Sequence, residues 1–296
     1  MLVSVIIPCY NAENTLLNTV NSCLENDEFL AEIIIVDDFS TDSTFAVAKN
    51  LLLKYKKVSI FKNIIKGSNH ARNLGFSKAT GDYIQWLDAD DIILKDKFKF
   101  QIQAFQNNKR LDIVYSNWEI YFWDNNNNIL NKEFKNEGSR KSMKLELVRD
   151  NWITPHCYLI KYSFALELQK LTPWGLETKI AQDREYYTCA ALTGANFKYV
   201  DGLYAIYNRY FTPSLSRKYN LKERSLYIYN MLNSRSNLFK EALNKDVNNA
   251  FETELLLHAS RANIHVCNLS FFNIEWWRIG GVRTKLRMLY TLFKSK

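Results

Sequence analysis

The chain has 296 residues, of which 47% are apolar, and its formal net charge is +8. This length suits one large α/β domain with an appendage or two small domains, and the composition excludes a largely disordered chain. The five cysteines are scattered and never spaced Cys-x-x-Cys, so neither a disulfide framework nor a zinc site is predicted. The charge leaves nucleic acid, an anionic membrane or a phosphate-bearing substrate as partner classes.

From the sequence we expect neither a membrane span nor a signal peptide. No run of about 18 apolar residues occurs in it. From Met1 it passes straight into a strand pattern, without the charged start of a secretory signal. We therefore expect a protein that is made and kept in the cytoplasm.

Strand and helix patterns alternate three times over roughly the first ninety residues. Turn and cap residues separate them, which predicts a parallel sheet with right-handed crossovers. The predicted elements are a strand over 2–7, a helix over 16–24, a strand over 32–36, a helix ending at 53, a strand over 58–61, a helix opening at 67–69 and a strand over 83–87.

Polar residues collect after these strands, at 10–11, 37–38 and 88–91. Because open α/β sheets bind ligands at the carboxyl ends of their strands, the clustering indicates a nucleotide-type site. No glycine-rich phosphate loop is present, so a metal held by Asp88 and Asp90, with Arg72 nearby, is predicted to hold the phosphate. An Asp-x-Asp by itself is also typical of a solvated acidic turn.

Four motifs resemble those of family-2 glycosyltransferases, in order and in spacing. They are Ser4-Val5-Ile6-Ile7-Pro8-Cys9-Tyr10-Asn11, Val36-Asp37-Asp38-Phe39-Ser40-Thr41-Asp42, Ala71-Arg72-Asn73-Leu74-Gly75 and Leu87-Asp88-Ala89-Asp90-Asp91. The resemblance implies an α/β GT-A (Rossmann-like) fold, with a mostly parallel sheet flanked by helices and a helical C-terminal extension. It also implies a nucleotide-sugar donor, a divalent metal and inversion at the anomeric carbon.

The resemblance implies donor-binding roles for six residues. They are Pro8 and Tyr10 lining the base pocket, Asp38 accepting a hydrogen bond from the base, Arg72 at the base or diphosphate, Asp88 at the ribose and Asp90 at the metal. The next residue, Asp91, has a structural alternative, because it could cap the helix that follows.

A helix pattern opens at Gln182-Asp183, where the family carries a Glu-Asp or similar pair that supplies the base. The resemblance implies that Asp183 removes the proton from the acceptor hydroxyl, the single proton transfer that an inverting reaction needs. A helix N-cap is the structural alternative for Asp183. His156 fits either the acceptor site or the core.

Between the acidic motif and this helix, a strand over 112–116, an alternating segment over 118–123, a hairpin tip at 124–128 and a helix over 139–148 are predicted. The segment 207–216 departs from the family, because Tyr210 stands where a metal-binding histidine is expected. The metal would then rest on Asp90, the diphosphate and water.

The tail is helical in pattern from Leu221 onward. Residues 276–296 combine an apolar stripe at helical spacing with six basic residues and no acid. This pattern fits a helix on an anionic membrane surface, a packing helix or a homodimer contact. Nucleic acid is not expected, because the basic charge lies at one end of the chain rather than around an aromatic-lined groove.

The sequence therefore predicts a catalytic nucleotide-sugar-binding domain over 1–215 and a helical region over 216–296. The expected reaction is metal-dependent (Mn²⁺ or Mg²⁺) transfer from a UDP-sugar to a hydroxyl of a surface glycan, such as lipopolysaccharide or capsule. We expect a lipid-linked acceptor and a place at the inner face of the cell membrane. The alternatives are a nucleotidyltransferase of sugar-nucleotide synthesis, which usually has a glycine-rich phosphate loop, and a non-catalytic membrane-surface module.

Overall fold

The computed structural model describes residues 1–149, 151–176, 178–210, 219–234 and 245–262. The chain forms two compact units. The first comprises Met1–Lys141, Ile153–Leu176 and Ala195–Thr212, and the second comprises Ser142–Trp152, Glu177–Gly194 and Pro213–Lys296. These units do not follow a single boundary at residue 215, because two earlier segments group with the C-terminal helices. The basic helix predicted over 276–296 lies outside the described residues.

The first unit holds the whole described sheet and five helices. Its strands are β1 (Val3–Cys9), β2 (Leu30–Asp37), β3 (Val58–Lys62), β4 (Tyr83–Trp86), β5 (Ile92–Ile93), β6 (Ile113–Trp123), β7 (Ile129–Lys135), β8 (Leu159–Lys161) and β9 (Phe197–Arg209). Its helices are α1 (Leu16–Leu24), α2 (Thr44–Lys54), α3 (Ser68–Phe76), α4 (Lys97–Asn107) and α6 (Tyr162–Leu171). The second unit contains α5 (Met143–Val148), α7 (Gln182–Leu192), α8 (Leu221–Ser234) and α9 (Lys245–Ala262).

The strands lie in the order β3-β2-β1-β4-β8-β6-β9-β5, with β7 paired to β6. Strands β3, β2, β1 and β4 pair with one another in parallel, as the βα alternation predicts. The other half is mixed, because β8 is antiparallel to β4 and β6 whereas β9 is parallel to β6. The predicted α/β class is confirmed, and the sheet is mixed, with parallel pairing concentrated among β1 to β4.

Every residue of β1 is buried, and so are the last five residues of β2. Such continuous apolar runs are typical of parallel strands covered by helices on both faces. The register places Ile6 beside Ile34 on one side and beside Trp86 on the other. The carboxyl ends of β1, β2 and β4 therefore meet at one edge of the sheet, where their loops carry the polar motifs.

Outside this half of the sheet, the predicted hairpin is confirmed, because β6 and β7 pair on either side of residues 124–128. The predicted helix over 139–148 is shorter and begins at Met143. The helical pattern after Leu221 is confirmed by α8 and α9. Within the described part of the chain, no helix has the length and apolarity that crossing a bilayer requires.

Candidate functional site

The loops after β1 and β2 are tied to each other at the carboxyl edge of the sheet. Pro8 lies in β1 beside Val36, and Tyr10 follows with 48% of its surface exposed. Asn11 adopts a left-handed backbone with φ 50°, and its Oδ1 accepts a hydrogen bond from Thr41 N at 2.9 Å. An exposed aromatic ring on a loop fixed in this way can stack against a flat ligand.

Asp38 follows β2 directly, and its carboxylate is held by two donors. Oδ1 accepts hydrogen bonds from Asn63 Nδ2 and from Gly67 N, both at 2.7 Å. Oδ2 makes no hydrogen bond with any described residue. Asp38 is thus oriented as an acceptor with one oxygen left for a ligand. The sequence interpretation missed Asn63, although its place just after β3, at the same sheet edge, was a signal for it.

Arg72 and Asp88 are brought into contact by α3 and the loop after β4. Arg72 Nη2 lies 2.8 Å from Asp88 Oδ1, and Nη1 donates to Asn69 Oδ1 at 3.1 Å. The guanidinium carbon lies 4.5 Å from the ring centroid of Trp174, which is fully buried. Arg72 is therefore fixed on three sides, and its planar fork is suited to a carboxylate or a phosphate. Trp174 had no assigned role in the sequence interpretation.

The turn that carries Trp174 is itself bonded to α3. Asn69 Nδ2 donates to Gly175 O at 2.5 Å, and Asn73 Nδ2 donates to Trp174 O at 3.0 Å. Buried backbone carbonyls need such partners, so the two asparagines stabilise the position of the tryptophan. The stacking surface beneath Arg72 is therefore built from α3 itself.

The acidic loop 88–91 concentrates three carboxylates. Burial, together with the charges of Asp91 and Asp88, raises the pKa of Asp90 well above its ordinary value. Burial and the charge of Asp88 raise the pKa of Asp91 in the same way. Ionised carboxylates this close destabilise each other, and a divalent cation would relieve that repulsion. The oxygen donors of this loop therefore fit a hard metal ion such as Mn²⁺ or Mg²⁺.

The described residues do not provide a complete set of protein ligands for that ion. Among the described residues, no group of three or more histidine, cysteine or acidic side chains is arranged to hold a metal. Ions of the Mg²⁺ type are often bound by one or two carboxylates together with substrate phosphates. Asp90 fits such a site, in which the ligand completes the coordination.

The structural alternative for Asp91, a cap on the following helix, is wrong. Asp91 is fully buried, its Oδ1 accepts from Asn208 N at 2.8 Å, and its Oδ2 lies 3.1 Å from His156 Nδ1. The next helix, α4, begins only at Lys97 and is preceded by Asp96. The short strand β5 intervenes, so Asp91 turns into the core. His156 is also fully buried, which favours its core alternative.

Tyr210, at the position where the family's histidine is expected, packs on an aromatic ring. It stacks on Trp123 with ring centroids 5.8 Å apart and an interplanar angle of 20°. Burial and the charges of Asp90 and Asp91 raise the pKa of Tyr210 to about 12. A neutral phenol is a poor metal ligand, which agrees with the expectation from the sequence. Residues 211–216 of the same segment lie outside the described residues.

Asp183 belongs to the second unit, whereas the six predicted donor-binding residues all lie in the first. It is the second residue of α7, and its Oδ2 accepts a hydrogen bond from Trp152 Nε1. The N-cap position is taken by Ala181, in a left-handed backbone with φ 55°, so the N-cap alternative for Asp183 is wrong. A carboxylate in the first turn is favoured by the helix dipole. Its role as a base stays a prediction.

Comparison with known proteins gives one family and several relatives. The sequence profile described as Glycosyl transferase family 2 matches residues 4–166. An uncharacterized glycosyltransferase of Haemophilus influenzae is 41% identical over 108 residues, which cover 36% of this chain and 43% of the relative. The Escherichia coli UDP-Glc:alpha-D-GlcNAc-diphosphoundecaprenol beta-1,3-glucosyltransferase WfgD is 36% identical over 132 residues, 44% of this chain and 50% of that protein. The matches thus span half or less of these two relatives.

Among solved structures, S. aureus TarS 1-349 in complex with UDP-GlcNAc superposes with a TM-score of 0.63 and 18% identity. The alignment covers 100% of this chain and 80% of that chain. The same protein in complex with UDP gives a TM-score of 0.61 at 19% identity, covering 99% of this chain and 79% of the other. At this identity the likeness shows a shared fold.

Proposed function

Since the chain belongs to glycosyl transferase family 2, we propose that it moves a sugar from a UDP-sugar to a hydroxyl of a lipid-linked glycan, with inversion and with a divalent metal. The observation that carries the proposal is the cluster of Asp38, Arg72, Asp88 and Asp90 at one edge of the sheet. The names of relatives support the substrates, because WfgD is named for UDP-Glc and a diphosphoundecaprenol acceptor. A further relative is named for teichuronic acid biosynthesis.

The base and ribose of the donor are recognised at the ends of β1, β2 and β4. Asp38 accepts a hydrogen bond from the base through the oxygen that Asn63 leaves open. Pro8 and the exposed ring of Tyr10 line the base pocket. Asp88 keeps 36% of its side chain exposed while it pairs with Arg72, so it can bind a ribose hydroxyl. The positions of these groups are set before the donor arrives, which limits the entropy lost on binding.

The diphosphate lies between a cation and an acidic loop. Arg72 is held by Asp88 and by stacking on Trp174, so its charge is presented without further ordering of the side chain. Asp90 would hold the metal, and a bound Mn²⁺ or Mg²⁺ would neutralise the negative charge that develops on the departing diphosphate. Asp90 alone, or with Asp88, would provide the protein ligands.

The acceptor is activated by Asp183. Its carboxylate takes the proton from the acceptor hydroxyl as that oxygen attacks the anomeric carbon and the bond to the diphosphate breaks. Attack from the face opposite the leaving group inverts the anomeric centre. The indole N–H of Trp152 holds one carboxylate oxygen and limits its rotation. Gln182, where a second acid is expected, donates to Thr178 O at 3.0 Å and takes no part in proton transfer.

The acceptor is a growing surface glycan, such as lipopolysaccharide or capsule, at the inner face of the cell membrane. The basic amphipathic pattern of 276–296 supports contact with an anionic membrane surface or with a second copy of the chain. By this proposal residues 1–215 bind the donor and carry the catalysis, and the helical region that follows serves the acceptor side.

The test is a transfer assay. The protein is incubated with a panel of UDP-, GDP-, dTDP- and ADP-sugars, Mn²⁺ or Mg²⁺, and GlcNAc-diphosphoundecaprenol as acceptor. We expect release of the nucleoside diphosphate and an extended lipid-linked product with one UDP-sugar, with loss of both when EDTA is added. The anomeric configuration of the product, read by NMR, reports inversion. Neither transfer nor hydrolysis with any donor, together with no nucleotide binding, would contradict the proposal.

A further inference from the structure

Asn208 of β9 makes two hydrogen bonds to the acidic loop 88–91. Its backbone N–H donates to Asp91 Oδ1 at 2.8 Å, and its Nδ2 donates to Asp90 O at 2.7 Å. Asn208 is buried, with 6% of its surface exposed. We propose that Asn208 is a positioning residue of the donor site, which holds the acidic loop so that Asp90 meets the metal and the diphosphate. The inference rests on the proposed function of that loop.

The two bonds reach consecutive residues of the loop. The loop is also held by Thr19 Oγ1, which donates to Ala89 O at 3.0 Å, and the Asn208 side chain adds the bond that fixes the backbone at Asp90 itself. On the other side of the loop, Asp91 Oδ2 lies 3.1 Å from the buried His156. Asp91 is therefore held from β9 and from His156, while Asp88 and Asp90 keep part of their surface exposed. The loop therefore has one fully buried acid, Asp91, and two partly exposed acids, Asp88 and Asp90.

Trp123 determines which way the Asn208 amide points. Its Nε1 donates to Asn208 Oδ1 at 2.8 Å. An indole nitrogen can only donate, so the amide oxygen must face the tryptophan and the NH₂ group must face the carbonyl of Asp90. The amide is thus satisfied at both ends, and Tyr210 stacks on the Trp123 ring. The orientation follows from the partners themselves.

Hydrogen-bond donors such as those of Asn208 stabilise the acidic loop. Three carboxylates, Asp88, Asp90 and Asp91, lie within its four residues, so the loop concentrates negative charge. Hydrogen bonds from Asn208 place positive ends of dipoles against this negative charge without adding a cation that would compete with the metal. Groups that orient a metal ligand commonly change metal affinity by about 10–100-fold when they are removed. In this chain β9 serves the metal site through Asn208, with a neutral tyrosine at 210.

The test compares Asn208→Ala with Asn117→Ala. Asn117 is a matched control, because it is an asparagine on the adjacent strand β6, is 5% exposed and has an Oδ1 that accepts from Glu137 N at 2.9 Å. UDP affinity is measured by calorimetry with and without Mn²⁺, and thermal unfolding is recorded for each variant. The quantity of interest is the gain in UDP affinity that Mn²⁺ produces.

We expect Asn208→Ala to keep metal-free UDP binding within about twofold of wild type, because Asp38 and Tyr10 are untouched, and to lose about tenfold or more of the Mn²⁺-dependent gain. Asn117→Ala should keep that gain even where its melting temperature falls equally. Asn208→Asp, which keeps an acceptor for Trp123 but cannot donate to Asp90 O, should behave like the alanine variant.

Two results overturn different statements. If wild type shows a Mn²⁺-dependent gain and Asn208→Ala retains it, or if Asn117→Ala loses it to the same extent, the positioning role is wrong while the proposed function stands. If wild type binds none of UDP, GDP, dTDP or ADP with or without Mn²⁺, the proposed function fails and the positioning role fails with it.

Discussion

At the scale of single residues, the first unit contains a buried amine beneath the donor-site strands. Lys97 is fully buried, and its Nζ donates to Gln85 Oε1 and to Gln101 Oε1, both at 2.6 Å, and to Tyr158 O at 3.3 Å. Burial lowers the pKa of Lys97 to about 7. Gln85 belongs to β4, which ends just before the acidic loop. This hydrogen-bond network therefore stabilises the strand that leads into that loop.

This pKa predicts how stability depends on pH. An unfolded lysine titrates near 10.5, so between about pH 7 and that value the unfolded chain binds more protons and the free energy of unfolding rises with pH. From about pH 7 to about pH 8.5, Lys97 should add roughly 1–2 kcal/mol. The neighbouring thiols Cys23 and Cys157 have raised pKa values and stay protonated in the folded protein, whereas the unfolded thiols, with an ordinary pKa of 9.0, begin to titrate only at the upper end of this window and oppose the rise there.

Lys97→Met should remove that rise, and the matched variant Lys99→Met, at an exposed position of the same helix, should keep it. Urea unfolding at the two pH values measures the difference. A Lys97→Met protein whose stability still climbed as in wild type would show that another group is responsible. Its absolute stability is expected to fall, because Gln85 and Gln101 each lose a donor.

At the scale of elements, helix α3 approaches the sheet unusually closely. A Cβ added at Gly75 would lie 2.5 Å from Ile6 Cγ2 and 3.3 Å from Val36 Cγ2, in the middle of β1 and β2. The missing side chain lets the helix lie near the strands whose ends form the site. Because Arg72 is on the same helix, one turn earlier, its position relative to Asp88 depends on this packing.

Gly75→Ala should therefore destabilise the protein by about 1–3 kcal/mol through overpacking, although alanine favours a helix by about 1 kcal/mol. It should also weaken UDP binding, because a displaced α3 carries Arg72 away from Asp88. Asn50→Ala, at an exposed position of α2, improves helix propensity without a steric contact and should do neither. Urea unfolding and UDP calorimetry measure the two effects, and a Gly75→Ala protein as stable as wild type would contradict the expectation.

At the scale of the whole molecule, the predicted functions divide between two units. The first unit contains every predicted donor-binding residue, and the second contains Asp183 on α7. The second unit has its own core, formed by residues that include Val148, Leu192 and Leu232, and a buried ion pair of Arg184 with Glu254 at 3.2 Å. Donor binding and proton transfer should therefore respond separately to substitution.

Asp183→Asn should reduce transfer by at least about 100-fold, the usual contribution of a general base, while UDP affinity stays within about twofold. The amide keeps an oxygen for the indole of Trp152 but cannot accept the acceptor's proton. Glu223→Gln, an exposed acid of the same unit, should leave both quantities unchanged. Loss of UDP binding in Asp183→Asn would instead indicate that Asp183 has a structural role.

The sequence by itself determined the parallel half of the sheet and the residues at its carboxyl edge. Asp38 and Asp88 could be placed because each follows a strongly patterned strand, and parallel strands put their ends together. Hydrophobic periodicity and turn residues are local properties of the chain, so they can be recognised from the sequence alone. The alternation also settled the α/β class, and the tail pattern predicted α8 and α9.

Only the tertiary structure decided what holds those residues. Trp174 and Asn208 reach the site from segments whose place depends on pairing between strands far apart in sequence, such as β6 with β9. The cap alternative for Asp91 is wrong for the same reason, because burial against His156 outweighs the local preference of an acidic residue for a helix start. Local sequence patterns specify helices and strands. The partners of a buried polar group depend instead on contacts that form only when the sheet is complete.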